Sequence, residues 1–117
     1  MAVHTITDTG PNATERVTLE ATPGNAREVA IPKRYNRVTL YFTTSAAAAE
    51  AGEYAPSGTD TSDIGTDAFP IASGVYYPVS QAGSERIKVD GATWSVFVAG
   101  TTASGYCHVH AEEQDNG

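Results

Sequence analysis

The sequence predicts a single all-β domain built from antiparallel strands, and three observations carry that expectation. Leucine is confined to Leu19 and Leu40, while Thr, Val, Ala, Gly and Tyr supply the bulk; β-branched and aromatic side chains suit a pleated surface and lose rotamer freedom in a helix. Apolar and polar residues alternate over several short runs, the signature of half-buried strands. Turn formers separate those runs, among them Pro23-Gly24-Asn25 and Asp90-Gly91. At 117 residues the chain is long enough for one core. Its few large aliphatic side chains suggest a thin one, to be completed by a partner subunit.

Val3–Thr7 reads as a short strand or an extended arm, with residues 1–12 as the arm's span. Thr14–Thr22 alternates, with Val17, Leu19 and Ala21 on one face. Arg27–Ile31 alternates through Val29 and Ile31, and Pro32 ends it because proline cannot donate to a ladder. Arg37–Thr44 is the clearest early strand, with Val38, Leu40 and Phe42 facing one way. Ala46–Ala51 favours a helical turn by propensity. Residues 52–73 read as a long ordered loop rich in Gly, Ser, Thr, Asp and Pro, anchored by Ile64, Phe69 and Ile71. Val75–Val79 carries Pro78 and belongs at a sheet edge. Residues 112–117 form an acidic, flexible tail.

From Glu85 to Glu113 the chain reads as three consecutive paired strands. With Asp90-Gly91 as a two-residue turn, Val89 faces Ala92, Ile87 faces Trp94 and Glu85 faces Val96. With 100–105 as the next loop, Val98 faces Cys107, Val96 faces Val109 and Trp94 faces Ala111. Both turns place the same residues on one apolar face, which is the consistency a buried side requires. The opposite face then pairs Phe97 with His108, Ser95 with His110, and Ala99 with Tyr106. Aromatics and imidazoles there mark a contact surface or a face that the chain itself covers.

The net charge of −7 argues against nucleic acid as a partner. Arg27, Lys33, Arg34 and Arg37 cluster against Glu28 alone, and read either as a solvated loop or as a docking patch for an acidic surface. No apolar run approaches the ~20 residues of a membrane helix, and the first residues lack a signal-peptide pattern. Cys107 is the single cysteine, so no intramolecular disulfide forms.

Catalytic signatures are absent from the text. There is no GxSxG elbow, phosphate loop, CxxC pair or GxGxxG. His108 and His110 lie two apart on one side of a strand, a spacing found in β-barrel metal sites. A cupin-type motif, however, needs a glutamate further on than Glu112, so cross-strand packing is the plainer reading, with a small metalloenzyme the least favoured function. Asp60, Asp63, Gly65 and Asp67 do not follow the calcium-loop spacing and read as turn chemistry. No catalytic residue, metal or cofactor is assigned.

Three stretches resemble a known family: Leu40–Thr44, Gly58–Val79, and Ile87–Glu113 with its Val-Phe-Val-Ala-Gly-Thr-Thr-Ala-Ser-Gly-Tyr-Cys-His-Val-His-Ala-Glu-Glu. In order and texture they are similar to small structural proteins of tailed-bacteriophage particles, particularly capsid decoration (cement) or head-associated β-sandwich proteins. The resemblance implies a jelly-roll-like sandwich that clamps onto the major capsid protein at the virion surface, as a homotrimer, after assembly in the host cytoplasm. It carries no individual residue role. The alternative function is a receptor- or glycan-binding head-fibre or tail-tip module, using tyrosines such as Tyr35, Tyr41, Tyr76, Tyr77 or Tyr106. The candidate interface residues are Phe97, Tyr106, His108 and His110, with Arg27, Lys33, Arg34 and Arg37.

Overall fold

The computed structural model describes residues 3–55, 68–81 and 88–113. Within them the strands are β1 (Val3–Thr5), β2 (Asn12–Thr18), β3 (Arg27–Pro32), β4 (Arg37–Thr44) and β5 (Gly52–Ala55), followed by β6 (Phe69–Ile71), β7 (Tyr77–Ser80), β8 (Lys88–Asp90), β9 (Thr93–Gly100) and β10 (Gly105–Glu112). They form two sheets. The first runs β1-β3-β9-β5-β6, with β8 also on β9; the second runs β2-β10-β4-β7. The β1–β3 pair is parallel and every other pair is antiparallel.

With β1 and β8 set aside, eight strands remain, and their pairing is nested. The first pairs with the last (β2 with β10), the second with the seventh (β3 with β9), the third with the sixth (β4 with β7), and the two central strands with each other (β5 with β6). Such a folded ribbon becomes a sandwich when it rolls up and β10 meets β4 while β9 meets β5. This is the jelly roll, so the expected single-domain β-sandwich is the observed fold.

Alternation explains the core. Val38, Leu40 and Phe42 of β4 point inward together with Cys107, Val109 and Ala111 of β10, against Val29 and Ile31 of β3 and Trp94, Val96 and Val98 of β9. Trp94, Tyr35 and Phe42 are the largest fully buried side chains, each contributing roughly 1.5–3 kcal/mol on burial. One chain therefore closes this core without help, contrary to the expectation of completion by a partner. The polar atoms of the two largest core side chains are matched: Trp94 Nε1 donates to the Tyr35 carbonyl at 2.7 Å, and the Tyr35 hydroxyl donates to the Gly10 carbonyl at 2.7 Å. Tyr35 thereby pins the turn before β2 onto the core.

The closing three-strand meander is corrected. β9 and β10 are not neighbours; they lie in different sheets. Val98 and Cys107, Val96 and Val109, and Trp94 and Ala111 share the interior because they line opposite walls of it. Alternation fixes which way a side chain points but not which strand lies beside it. The link between the strands, residues 101–104, crosses the ~10 Å between packed sheets. Leu19 crowds the start of the crossing: a Cβ at Gly100 would stand 3.2 Å from Leu19 Cδ1.

The hairpin before β9 does form, with its pairing moved by two residues: Asp90 faces Thr93 and Val89 faces Trp94. Gly91 alone takes a positive φ, 58°, so the glycine leads the turn and Ala92 follows it. An even shift leaves the faces unchanged.

Ala46–Ala51 forms no helical turn. The chain folds back on β4 through a tight turn, with Ala47 at φ 65° and an isolated bridge between Thr43 and Ala49, before crossing to the other sheet as β5. Alanine propensity is weak against the cost of nucleating so short a helix. The expected loop at 52–73 is strand at both ends, since β5 and β6 pair; its middle, with Ile64 and the Asp60, Asp63 and Asp67 group, lies outside the described residues. Pro78 sits on the edge strand β7, as expected, and Pro70 on the edge strand β6. Both prolines blunt edges that would otherwise offer free N–H groups.

Candidate functional site

The sandwich has two outer faces, and they differ. On the β1-β3-β9-β5-β6 sheet the outward residues of β9 are Ser95, Phe97 and Ala99, and all three are buried. Phe97, 2 % exposed, packs with Ala26, Ala55 and Ala99, and Ala68 lies against them. The Ser95 hydroxyl donates to the Glu28 carboxylate at 2.8 Å. This face is sealed by the chain itself.

The outer face of the β2-β10-β4-β7 sheet is open. Its central strand β10 presents Tyr106, His108 and His110, all half-buried, between β2 and β4. Arg16, opposite His108 on β2, lays its guanidinium 4.3 Å from the centre of the Tyr106 ring. His108 Nε2 bonds Thr43 Oγ1 at 3.1 Å, and His110 Nδ1 bonds Thr14 Oγ1 at 2.7 Å. Tyr41 of β4 stacks on Tyr76 of the β6–β7 connection, with ring centres 4.4 Å apart and planes 28° apart. Tyr41, Thr43, Ala47, Tyr76 and His108 line a shallow groove of about 360 Å³.

The proposed interface residues are thus divided. Tyr106, His108 and His110 share the open face. Phe97 is on the opposite side of the molecule, because the pairing that joined it to His108 does not exist. The basic segment is dispersed into internal pairs: Arg27 with Glu20, Arg34 with Asp8 and Glu113, and Arg37 with Glu112. Lys33 stands exposed in the turn after β3. Glu113, expected in a flexible tail, is held by Arg34 and by its own N–H to the Pro11 carbonyl. The candidate tyrosines divide too: Tyr35 is fully buried, and Tyr77 turns inward against Tyr54.

The histidines do not converge. His108 and His110 each bond a threonine, while His4 of β1 bonds Glu15 of β2 at 2.7 Å across the seam between the sheets. Among the described residues no group of three or more His, Cys, Asp or Glu side chains is placed to hold a metal. Burial pushes the Cys107 thiol up to about 12, against a smaller opposing pull from the Tyr41 backbone, which makes it a poor nucleophile.

The Tyr41–Tyr76 groove escaped the sequence reading. Tyr76 belongs to a connection, and no strand periodicity says where a connection lays its side chains. The exposure of Val75 and Tyr76 beside buried Val79 is the local trace of it.

No family model matches the chain, and no curated protein matches it. Among solved structures, a chain from one titled "Bacillus endospore appendages form a novel family of disulfide-linked pili" aligns over 89% of this chain and 86% of that chain, at 14% identity and a TM-score of 0.40. An overlap so loose has no bearing on function.

Proposed function

We propose that this protein is a virion structural protein that decorates the assembled capsid of a tailed bacteriophage and acts by binding rather than catalysis. The observation that carries the reading is the contrast between the outer faces. One is closed by the chain's own residues. The other presents Tyr106, His108 and Tyr41 from the sheet, with Tyr76 of the β6–β7 connection stacked beside them, and aromatic side chains are common anchors of protein interfaces. The family resemblance supplies the partner, the major capsid protein, and the homotrimeric state. The virion surface is then the site of action, after assembly in the host cytoplasm.

The test is cosedimentation with empty shells at micromolar concentration. The wild type and Thr5→Glu, a change on the sealed sheet, are expected in the pellet, and Tyr106→Glu in the supernatant. Retention of Tyr106→Glu on shells sinks the docking face; no pelleting of the wild type sinks decoration itself. A second reading, a saccharide-binding module, is favoured by one observation: the stacking of Tyr41 and Tyr76 beside a single groove.

A further inference from the structure

We propose that the Tyr41–Tyr76 groove is an anchor pocket for an arginine side chain of the partner. The inference rests on the open face being the docking face and names what enters it.

Three observations point to a guanidinium. The first is the chain's own use of tyrosine. Arg16 caps the Tyr106 ring at 4.3 Å, and the Arg34 guanidinium lies 5.7 Å from the centre of the Tyr35 ring. The stacked pair of Tyr41 and Tyr76 carries no such cap among the described residues, although Tyr76 is 70 % exposed. A tyrosine face attracts a cation through its quadrupole, and arginine adds planar stacking.

The second is charge. The chain is acidic at −7, and Arg27, Arg34 and Arg37 are engaged with its own carboxylates. That net negative charge favours the approach of basic segments over acidic ones. No Lys or Arg lines the groove among the described residues.

The third is the polar rim. The phenol oxygens of Tyr41 and Tyr76 make no hydrogen bond among the described residues, and Thr43 Oγ1 has a lone pair beyond its bond to His108. A guanidinium, with five N–H donors and no acceptor, suits such a rim. A neutral sugar also stacks on tyrosine, but it draws nothing from the net charge.

The test is a ¹H–¹⁵N NMR titration with a blocked Gly-Arg-Gly tripeptide and, separately, with the same peptide carrying citrulline, which keeps the shape and removes the charge. The arginine peptide is expected to shift the amides of Tyr41, Ala47 and Tyr76 and to bind roughly threefold to fivefold more tightly than the citrulline peptide. Tyr76→Ala, an exposed change that leaves the fold intact, should abolish those shifts. Equal responses to both peptides, shifts that persist in Tyr76→Ala, or a response to glucose and N-acetylglucosamine in place of the peptides would each overturn the proposal. Shell cosedimentation separates the two readings. Arginine binding in the groove without wild-type pelleting removes decoration and keeps the pocket. Pelleting of Tyr76→Ala at wild-type affinity, with no arginine selectivity, removes the pocket and keeps decoration.

Discussion

Phe97 and Tyr106 both point outward from a central strand, and their fates are opposite. Phe97 is covered by alanines brought in from Ala26 and from the end of β5. Over Tyr106, by contrast, lies the Arg16 guanidinium, and the ring stays half-buried. A sheet face does not become a core because it is aromatic; it becomes one when other segments of the chain arrive over it. Two predictions exploit the contrast directly. Phe97→Ala is expected to cost about 3 kcal/mol by urea denaturation, the low end for a buried phenylalanine because its neighbours are small. Tyr106→Ala on the open face should cost less than about 1 kcal/mol. Equal losses at the two sites would end the distinction between the faces.

The same pair of residues shows what was legible. Alternation in Thr93–Gly100 and Gly105–Glu112 told which side chains point inward, and Trp94, Val96, Val98, Cys107 and Val109 are indeed interior. Lateral pairing was not legible, because a residue opposite a partner in the same sheet and one facing it across the core obey the same parity. Phe97 was therefore grouped with His108 although the whole sandwich lies between them. The pairing of Arg34 and Arg37 with acids distant in sequence was invisible for a related reason: a local charge cluster says nothing of what the fold brings beside it. Pro78 was readable as an edge marker because that rule is purely local.

Ser95 and Thr14 extend the comparison to hydroxyls. Ser95 is buried on the sealed face and donates to Glu28 at 2.8 Å, so Ser95→Ala should cost about 1–2 kcal/mol. Thr14 bonds His110 on the open face, where water replaces a lost partner, and Thr14→Ala should fall within about 0.5 kcal/mol of wild type. Thermal denaturation of the two variants at matched pH measures both.

The seam between the sheets belongs to neither face and responds to acid. Burial alone would raise the Glu15 carboxyl, but the Thr7 N–H and the His4 imidazole together outweigh it and hold it below its usual value. A carboxylate lowered on folding stabilises above its unfolded pKa, and that stability is lost as pH falls through the folded value. The urea midpoint should therefore decline on acidification below the ordinary glutamate range, and Glu15→Gln should flatten the decline. Asp8, lowered by the Gly10 N–H and by Arg34, keeps part of the slope. An unchanged acid limb in Glu15→Gln would place the acid sensitivity elsewhere.

The smallest effect is the most discriminating. A double-mutant cycle of Arg16→Ala with Tyr106→Phe and Tyr106→Ala isolates the guanidinium–ring contact on the open face. An exposed cation–π contact is worth about 0.5–1 kcal/mol, and salt screens its charge only weakly at contact distance. A coupling in that range means that Arg16 lies over Tyr106 without being committed to it, so a docking partner can displace the arginine at little expense in stability. A coupling of about 2 kcal/mol or more would mean that the pair is desolvated and already packed. The open face would then be as much a part of the folded core as the face that holds Phe97, and the proposed docking surface would have to contract to the groove between Tyr41 and Tyr76.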